Sequence, residues 1–253
     1  MRILKTYFLV LARDRQFIEK KIGELDQLRL SYLIVCGERV NHPNVMYREQ
    51  RGKYDAINYG FRFIPEDVDI VALNDVDTHI GNLKPALKMF DSDKVALVFA
   101  KVYAKEGPQN LFLSIFRSLR AKLPLAASGD LMLIRREALK RALPIKPCKA
   151  EDSYLLFKIL EAGYKIGDCE ECYVEGEKTK KANEEEGYKR RTVAGIYQAL
   201  AHTNPPYQVK LFYLLLPFVS PVLLILGKRG FFWMKGILLG LTDYLRGDRA
   251  GIW

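Results

Sequence analysis

At 253 residues and 29.1 kDa, the chain is long enough for one sizeable α/β domain with an appendage, and its length excludes two full domains. Hydrophobic residues make up 49% of it and the formal net charge is +10, with a pI near 9.3. That charge suits an anionic membrane surface, a phosphorylated ligand or nucleic acid, without choosing among them. The stretch from Met1 to Lys5 leads straight into a short apolar run, so no signal peptide is expected, and the four cysteines (Cys36, Cys148, Cys169, Cys172) are expected on a reducing, cytosolic side. Cys169-Glu-Glu-Cys172 has the spacing of half a zinc site, but only Cys148 lies nearby and no histidine completes four ligands.

In chain order, apolar runs at Tyr7 to Ala12, Tyr32 to Cys36, Asn44 to Tyr47 and Ile70 to Leu73 alternate with amphipathic stretches, the pattern of β-α-β units feeding a mostly parallel sheet. Phe17, Ile18, Ile22, Leu25 and Leu28 recur at helical spacing, and Tyr54 to Phe63 reads as a second helix ending before Pro65. A strand at Val95 to Tyr103, a helix at Gln109 to Lys122, a strand at Asp130 to Ile134 and a helix from Ser153 to Ala162, closed by Gly163, complete the expected sheet. The polar, charged stretch from Gly176 to Gly187 reads as a mobile loop, and a helix follows from Arg190 to Asn204.

Beyond Asn204 the composition changes. Leu211 to Gly227 is uncharged and strongly apolar, and Phe231 to Leu245 is broken only by Lys235 and Asp243. Each stretch falls slightly short of the ~20 residues that span a bilayer as a straight helix, so buried core helices compete with a membrane hairpin. Position after a complete core, the near absence of a polar face, and aromatics such as Phe231, Trp233 and Tyr244 favour the membrane. Two full spans would put Lys228-Arg229 on the outer side, so a shallow or re-entrant hairpin is a strong competitor.

The sharpest local signal is Asn74-Asp75-Val76-Asp77, a D-x-D sequence closing an apolar strand. Alternate residues of a strand share a face, which points both carboxylates into the crevice beyond the strand's carboxyl end, and such a pair suits Mg²⁺ or Mn²⁺ shared with substrate phosphates. Alone, D-x-D is more often a solvated turn. His79 lies two residues beyond Asp77, within range of a metal or serving as a structural histidine.

The context resembles family 2 glycosyltransferases of the GT-A fold. Gly52-Lys53-Tyr54-Asp55-Ala56-Ile57-Asn58-Tyr59-Gly60 is similar to that family's G-K-x-x-A-x-N-x-G segment, with D-x-D following at the right distance. Ser128-Gly129-Asp130 leading to Arg135-Arg136-Glu137-Ala138-Leu139 resembles its acceptor-side strand and R-R-E-A-L helix start, and Glu151-Asp152 followed by Gly163-Tyr164-Lys165-Ile166 resembles its E-D helix and G-Y-K-I strand. The resemblance covers roughly Lys5 to Val174. It implies an α/β GT-A core at residues 1–204, with a Rossmann-like, mostly parallel sheet, and leaves 205–253 as a membrane-associated helical hairpin. It further implies an inverting, metal-dependent transfer from a nucleotide-sugar donor.

The roles it implies are Asp77 and Asp75 for a divalent Mg or Mn ion, Asp75 and Lys53 toward the donor, Asp152 as base with Glu151 beside it, and Gly129, Asp130, Arg135 and Arg136 toward the acceptor. A lipid-phosphate acceptor is already ionised; Asp152 would then orient it and Arg135 and Arg136 would hold its phosphate. Arg190-Arg191 sits where many members carry an arginine-rich motif over the diphosphate, without that motif's Gln and Trp. Two departures stand out: Leu11-Ala12-Arg13-Asp14-Arg15 replaces a P-x-Y-N-E turn, and Val35-Cys36-Gly37-Glu38 replaces D-D-G-S, so Asp14 or Glu38 would have to take the base contact.

The expected acceptor is a polyprenyl phosphate or lipid-linked glycan, with the enzyme on the cell membrane and its catalytic domain on the cytoplasmic side. The rival readings are a sugar-phosphate nucleotidyltransferase, disfavoured because Leu11 to Gln16 has no glycine; a non-catalytic membrane adaptor, disfavoured by retention of Asp75, Asp77 and Asp152; and a nucleic-acid binder, for which no recognisable motif is present.

Overall fold

The computed structural model describes residues 4–104, 125, 127–176, 181 and 183–247. Eight strands form one sheet: β1 (Thr6–Ala12), β2 (Ser31–Cys36), β3 (Val45–Tyr47), β4 (Ile70–Asp75), β5 (His79–Ile80), β6 (Val95–Ala104), β7 (Leu131–Arg135) and β8 (Lys165–Gly176), in the order β3-β2-β1-β4-β7-β6-β8-β5. β3, β2, β1 and β4 run parallel, β7 is antiparallel to both β4 and β6, and β8 runs parallel to β6. The core strands β1, β2 and β4 are apolar almost without interruption because both faces of the sheet are covered.

On one face lie α1 (Ile18–Gln27) and α3 (Lys84–Lys88), packed through Ile18, Leu25 and Ala86 against Phe8, Val10, Ile34 and Val98. The other face carries α2 (Lys53–Gly60), α4 (Arg136–Ala142), α5 (Glu151–Glu161) and α6 (Glu184–Ala201), which bury Ile57, Leu139, Leu155 and Ile196 with Leu9, Leu73, Phe99 and Met132. The expected helix at Gln109 to Lys122 lies outside the described residues.

One expectation is corrected, and one strand gains an end the sequence did not mark. The stretch expected as loop up to Gly187 already contains the first turn of α6, whose Glu184, Glu185 and Glu186 sit favourably at the positive end of the helix dipole. The G-Y-K-I strand extends to Gly176, far past its apolar start, because its register on β6 jumps between Cys169 and Tyr173 and the bulge re-aims the polar residues.

After α6 come α7 (Tyr207–Val219), a 3-10 turn at Ser220–Leu226 and α8 (Gly227–Leu245). Tyr213 of α7 donates its hydroxyl to the Leu125 carbonyl, and Tyr197 of α6 donates to the Tyr213 carbonyl at 2.7 Å. α8 returns along α6: Trp233 Nε1 donates to Glu185 Oε2 at 2.7 Å, Arg190 grips Asp243 at 2.6 and 2.7 Å, and Tyr244 stacks on Tyr197 at 5.5 Å. The seam is close enough to require glycine, since a Cβ at Gly240 would lie 2.6 Å from the Arg190 carbonyl oxygen and one at Gly236 2.7 Å from that of Glu186. α7 and α8 thus make a hairpin whose tip projects past the start of α6.

Candidate active site

The parallel strands β1, β2 and β4 all end at one rim of the sheet, and β7, running the opposite way, begins there. That rim gathers Asp14 and Glu38 beyond β1 and β2, Asp75 and Asp77 at the end of β4, and Gly129 and Asp130 just before β7. The backbone N–H of Asp75 donates to the Asp130 carbonyl at 3.2 Å, which locks the two segments together.

Two helix starts face this rim. Gly52, at φ +108°, takes a backbone conformation that side-chain-bearing residues avoid, and it turns the chain so that Lys53 opens α2 toward the strand ends. Glu151 and Asp152 open α5, where the helix dipole favours negative charge. Lys53 Nζ donates to both carboxylate oxygens of Asp75, at 2.7 and 2.6 Å, and stands 3.9 Å from Glu151 Oε1. Gly129 lies against Asp152: a Cβ there would stand 3.6 Å from Asp152 Oδ2, in ordinary contact. Between the two helices a small pocket is floored by Leu11, Leu73 and Met132 and walled by Glu151 and Asp152.

Five carboxylates (Asp75, Asp77, Asp130, Glu151 and Asp152) therefore share a region whose nearest cation is Lys53. Burial pulls the Lys53 ammonium down, but Asp75 and Glu151 outweigh it and the net displacement is upward. Asp75 is nonetheless displaced upward too, by burial and by Asp130 and Asp77, against the pull of Lys53. Burial likewise raises Asp152, and burial with Asp152 and Asp75 nearby pushes Glu151 up to about 7. Burial is the largest cause of the Asp75 rise and the neighbouring Asp130 and Asp77 add to it, so the carboxylates outnumber the ammonium groups that face them, Lys53 and, beneath the turn, Lys21. A divalent cation at Asp75 and Asp77 would relieve that excess, so the residues fit Mg²⁺ or Mn²⁺. Among the described residues no three ligating side chains form a ready-made cage, which accords with an ion that takes one or two carboxylates and completes its shell with water and phosphate oxygens.

A pH dependence follows. Glu151 binds its proton more tightly in the folded chain than at its ordinary value of 4.5. The folded state therefore holds the extra proton, and stability falls as pH rises from about 4.5 to about 7. In metal-free protein, Glu151→Gln is expected to remove much of this decline, read as a flatter plot of Tm against pH between those limits.

The remaining expected residues divide. Asp14 accepts the Gln16 N–H at 3.1 Å, and Glu38 is exposed with Arg15 at 3.8 Å; both lie at the correct rim. Arg135 and Arg136 do not. Because β7 is antiparallel to β4 and pairs Arg135 with Ile70, they sit at the opposite edge, roughly 16 Å along the strand from Asp75. There Arg135 donates to the carbonyls of Val95, Phe90 and Ser92 at 2.8, 2.5 and 3.1 Å, and Arg136 is buried against the Phe61 ring. Arg190 is occupied by Asp243 in the hairpin seam, while Arg191 is exposed on α6. The acceptor role of the arginine pair and a diphosphate role for Arg190 have no support in this geometry. His79 donates from Nδ1 to Glu24 at 2.7 Å, as a structural histidine does. Sequence reasoning missed Lys21, since a lysine on an amphipathic helix reads as surface.

No protein-family model and no curated protein matches the sequence. Solved structures do. The mannosyltransferase PcManGT from Pyrobaculum calidifontis, in complex with GDP-Man and Mn²⁺, superposes with a TM-score of 0.72 at 17% identity, over 96% of this chain and 88% of that one. The chain has the GT-A fold. The same architecture recurs in GalNAc-T7 with UDP, GalNAc and Mn²⁺, at a TM-score of 0.56 and 12% identity over 97% of this chain and 57% of that one. It recurs again in the M. tuberculosis glucosyl-3-phosphoglycerate synthase, at 0.52 and 16% over 80% and 82%. At these identities the likeness is one of fold, and the chemistry has to be argued from the chain's own carboxylates.

Proposed function

We propose that this chain is a metal-dependent, inverting glycosyltransferase that takes a sugar from a nucleoside-diphosphate sugar and delivers it to a lipid-linked or polyprenyl-phosphate acceptor at a membrane surface. The observation that carries the reading is the meeting of the D-x-D pair with the Glu151-Asp152 helix start across one crevice, bridged by Lys53, at the carboxyl rim where open α/β sheets bind ligands. GT-A structures holding nucleotide sugars or nucleotides with Mn²⁺ have this architecture.

In this reading Asp77 and Asp75 hold the divalent ion, which supplies Lewis-acid stabilisation of the departing diphosphate. Lys53 fixes Asp75 against the rim, and Asp14 and Glu38 face the nucleotide base from the ends of β1 and β2. Asp152 receives the proton of an acceptor hydroxyl as its oxygen bonds to the anomeric carbon. The bond from that carbon to the diphosphate breaks on the other side, which inverts the centre. An ionised phosphate acceptor needs no base, and Asp152 then only orients it. Gly129 and Asp130 line the acceptor approach.

The hairpin of α7 and α8 supports the membrane part. The segment Tyr207–Leu245 is apolar enough for a bilayer by composition, and only 17% of its most apolar window is buried. Phe218 and Ile225 at the tip are 78% and 84% exposed, and Lys228 and Arg229 follow them. Two of the four charged groups of α8 are tied to the catalytic domain, Asp243 by Arg190 and Lys235 by Glu186 at 2.9 Å. That favours a hairpin dipping into one leaflet over two spans, since a crossing α8 would have to leave these partners. Four reduced, buried cysteines favour a cytoplasmic setting for the domain.

Burying each tip side chain contributes about 1.5–3 kcal/mol, so the double variant Phe218→Asp/Ile225→Asp is expected to lose binding to phosphatidylglycerol-containing vesicles by at least tenfold in a flotation assay. Nucleotide binding should stay intact. Equal flotation of variant and wild type would remove the hairpin as the membrane contact. The reaction itself is tested by incubating the protein with UDP- and GDP-sugars and a native lipid extract and analysing the lipids by mass spectrometry. A hexosylated lipid of inverted anomeric configuration is expected; donor turnover without lipid product would remove the acceptor assignment, and no donor use at all would favour a non-catalytic adaptor.

A further inference from the structure

Beneath the D-x-D turn lies a polar cluster that the transfer chemistry above does not use. Lys21 of α1 is only 1% exposed, yet its ammonium is fully engaged. It donates to Asn74 Oδ1 at 2.9 Å, to Glu24 Oε2 at 2.7 Å and to the backbone carbonyl of Thr78. Asn74, itself wholly buried, donates from Nδ2 to Thr78 Oγ1 at 2.8 Å and to the Asp130 carbonyl at 2.7 Å. Thr78 Oγ1 donates to the Asp75 carbonyl at 2.8 Å. Glu24 Oε1 accepts from the Ile80 N–H at 2.6 Å and from His79. The turn Asp75-Val76-Asp77 is thus pinned immediately before it, through Asn74, and immediately after it, through Thr78 and Ile80. One ammonium joins both pins.

Burying an ammonium is expensive, and replacing a buried ion pair by apolar groups is often neutral or stabilising for a fold. A lysine at this depth is therefore poorly explained by stability alone. Its position directly under two carboxylates explains it better: Asp75 and Asp77 both act on its charge, and it in turn offsets part of their mutual repulsion.

We propose that Lys21, acting through Asn74 and Thr78, is a positioning residue that holds Asp75 and Asp77 at the spacing a divalent ion and a nucleoside diphosphate require. The inference rests on the reading of those aspartates as metal and donor ligands. Groups behind a metal ligand commonly change affinity by about 10–100-fold when removed, and the effect here falls on binding before any chemistry.

The test measures Mn²⁺ binding in the presence of GDP or UDP, by the electron paramagnetic resonance signal of free Mn²⁺, on the full chain in detergent. Lys21→Met is expected to raise the Mn²⁺·nucleotide dissociation constant 10–100-fold. Thr78→Val, which removes one hydroxyl at nearly constant volume, should move it the same way and decides the matter if Lys21→Met does not fold. Leu25→Ala, on the same helix but in the apolar core, is the control for destabilisation alone and should leave the constant unchanged in folded protein. Wild-type affinity in folded Lys21→Met or Thr78→Val, or an equal loss in Leu25→Ala, overturns the positioning role while leaving the site reading intact. Absence of Mn²⁺·nucleotide binding in the wild type overturns both.

Discussion

Asp77→Ala is expected to lower nucleoside diphosphate release by roughly 10³-fold while leaving the fold intact. Asp77 is an exposed side chain at the mouth of the crevice, so its loss should cost less than about 0.5 kcal/mol of stability. Its contribution lies in charge. A bound divalent ion supplies several kcal/mol of stabilisation to a leaving group that gains negative charge, and each decade of rate corresponds to about 1.4 kcal/mol. Asp75 does not make up the loss, because its charge is already shared with Lys53 at 2.7 and 2.6 Å and the ion would be left with one carboxylate where it had two. Steady-state release with saturating Mn²⁺, alongside thermal melts, checks both halves. A variant with more than a tenth of wild-type activity would show that Asp77 does not hold the metal.

Asp152→Asn carries the second large effect. An amide of the same shape cannot take a proton, so transfer to a hydroxyl acceptor should fall by about 10²–10⁴-fold in kcat, with the dissociation constant for donor nucleotide unchanged. Asp152 accepts the Ser153 N–H at 2.7 Å through Oδ1, and an asparagine oxygen can keep that bond, which makes the substitution conservative for the helix start. If the acceptor is a phosphate, the loss should appear in the acceptor KM with kcat preserved. A variant equal to wild type in both constants would remove Asp152 from the reaction.

Much of this was legible in the sequence, for physical reasons that can be named. Strands β1, β2 and β4 announced themselves because strands covered on both faces are continuously apolar. Asp75, Asp77, Glu151 and Asp152 stood out as candidates because strand ends and helix starts are local features, whereas the contact of Lys53 with both Asp75 and Glu151 appears only in the fold. The arginines were misplaced for a topological reason. Nothing local states that β7 runs against β4, and that reversal carries Arg135 and Arg136 to the far edge while bringing Asp130 to the rim. Arg190 was assigned from its place after a charged stretch, but its partner Asp243 lies 53 residues on in the seam with α8, a contact invisible to any local pattern.

The early start of α6 was recoverable, since three glutamates in a row are a helix-start signal as much as a loop signal. Lys21 was not. On α1 it shares a helix with exposed Glu19 and Lys20, and only the fold reveals that its side chain runs inward to Asn74 and Thr78.

The central claim is that the crevice binds and activates a nucleoside-diphosphate sugar through a divalent ion. Its most direct test is nucleoside diphosphate release by the purified, detergent-solubilised protein from a panel of UDP- and GDP-sugars, with Mn²⁺ and then with excess chelator. The account predicts release from at least one donor that disappears with chelator and returns with added metal. Release that persists undiminished in chelator, or no release and no calorimetric binding for any donor, would contradict it.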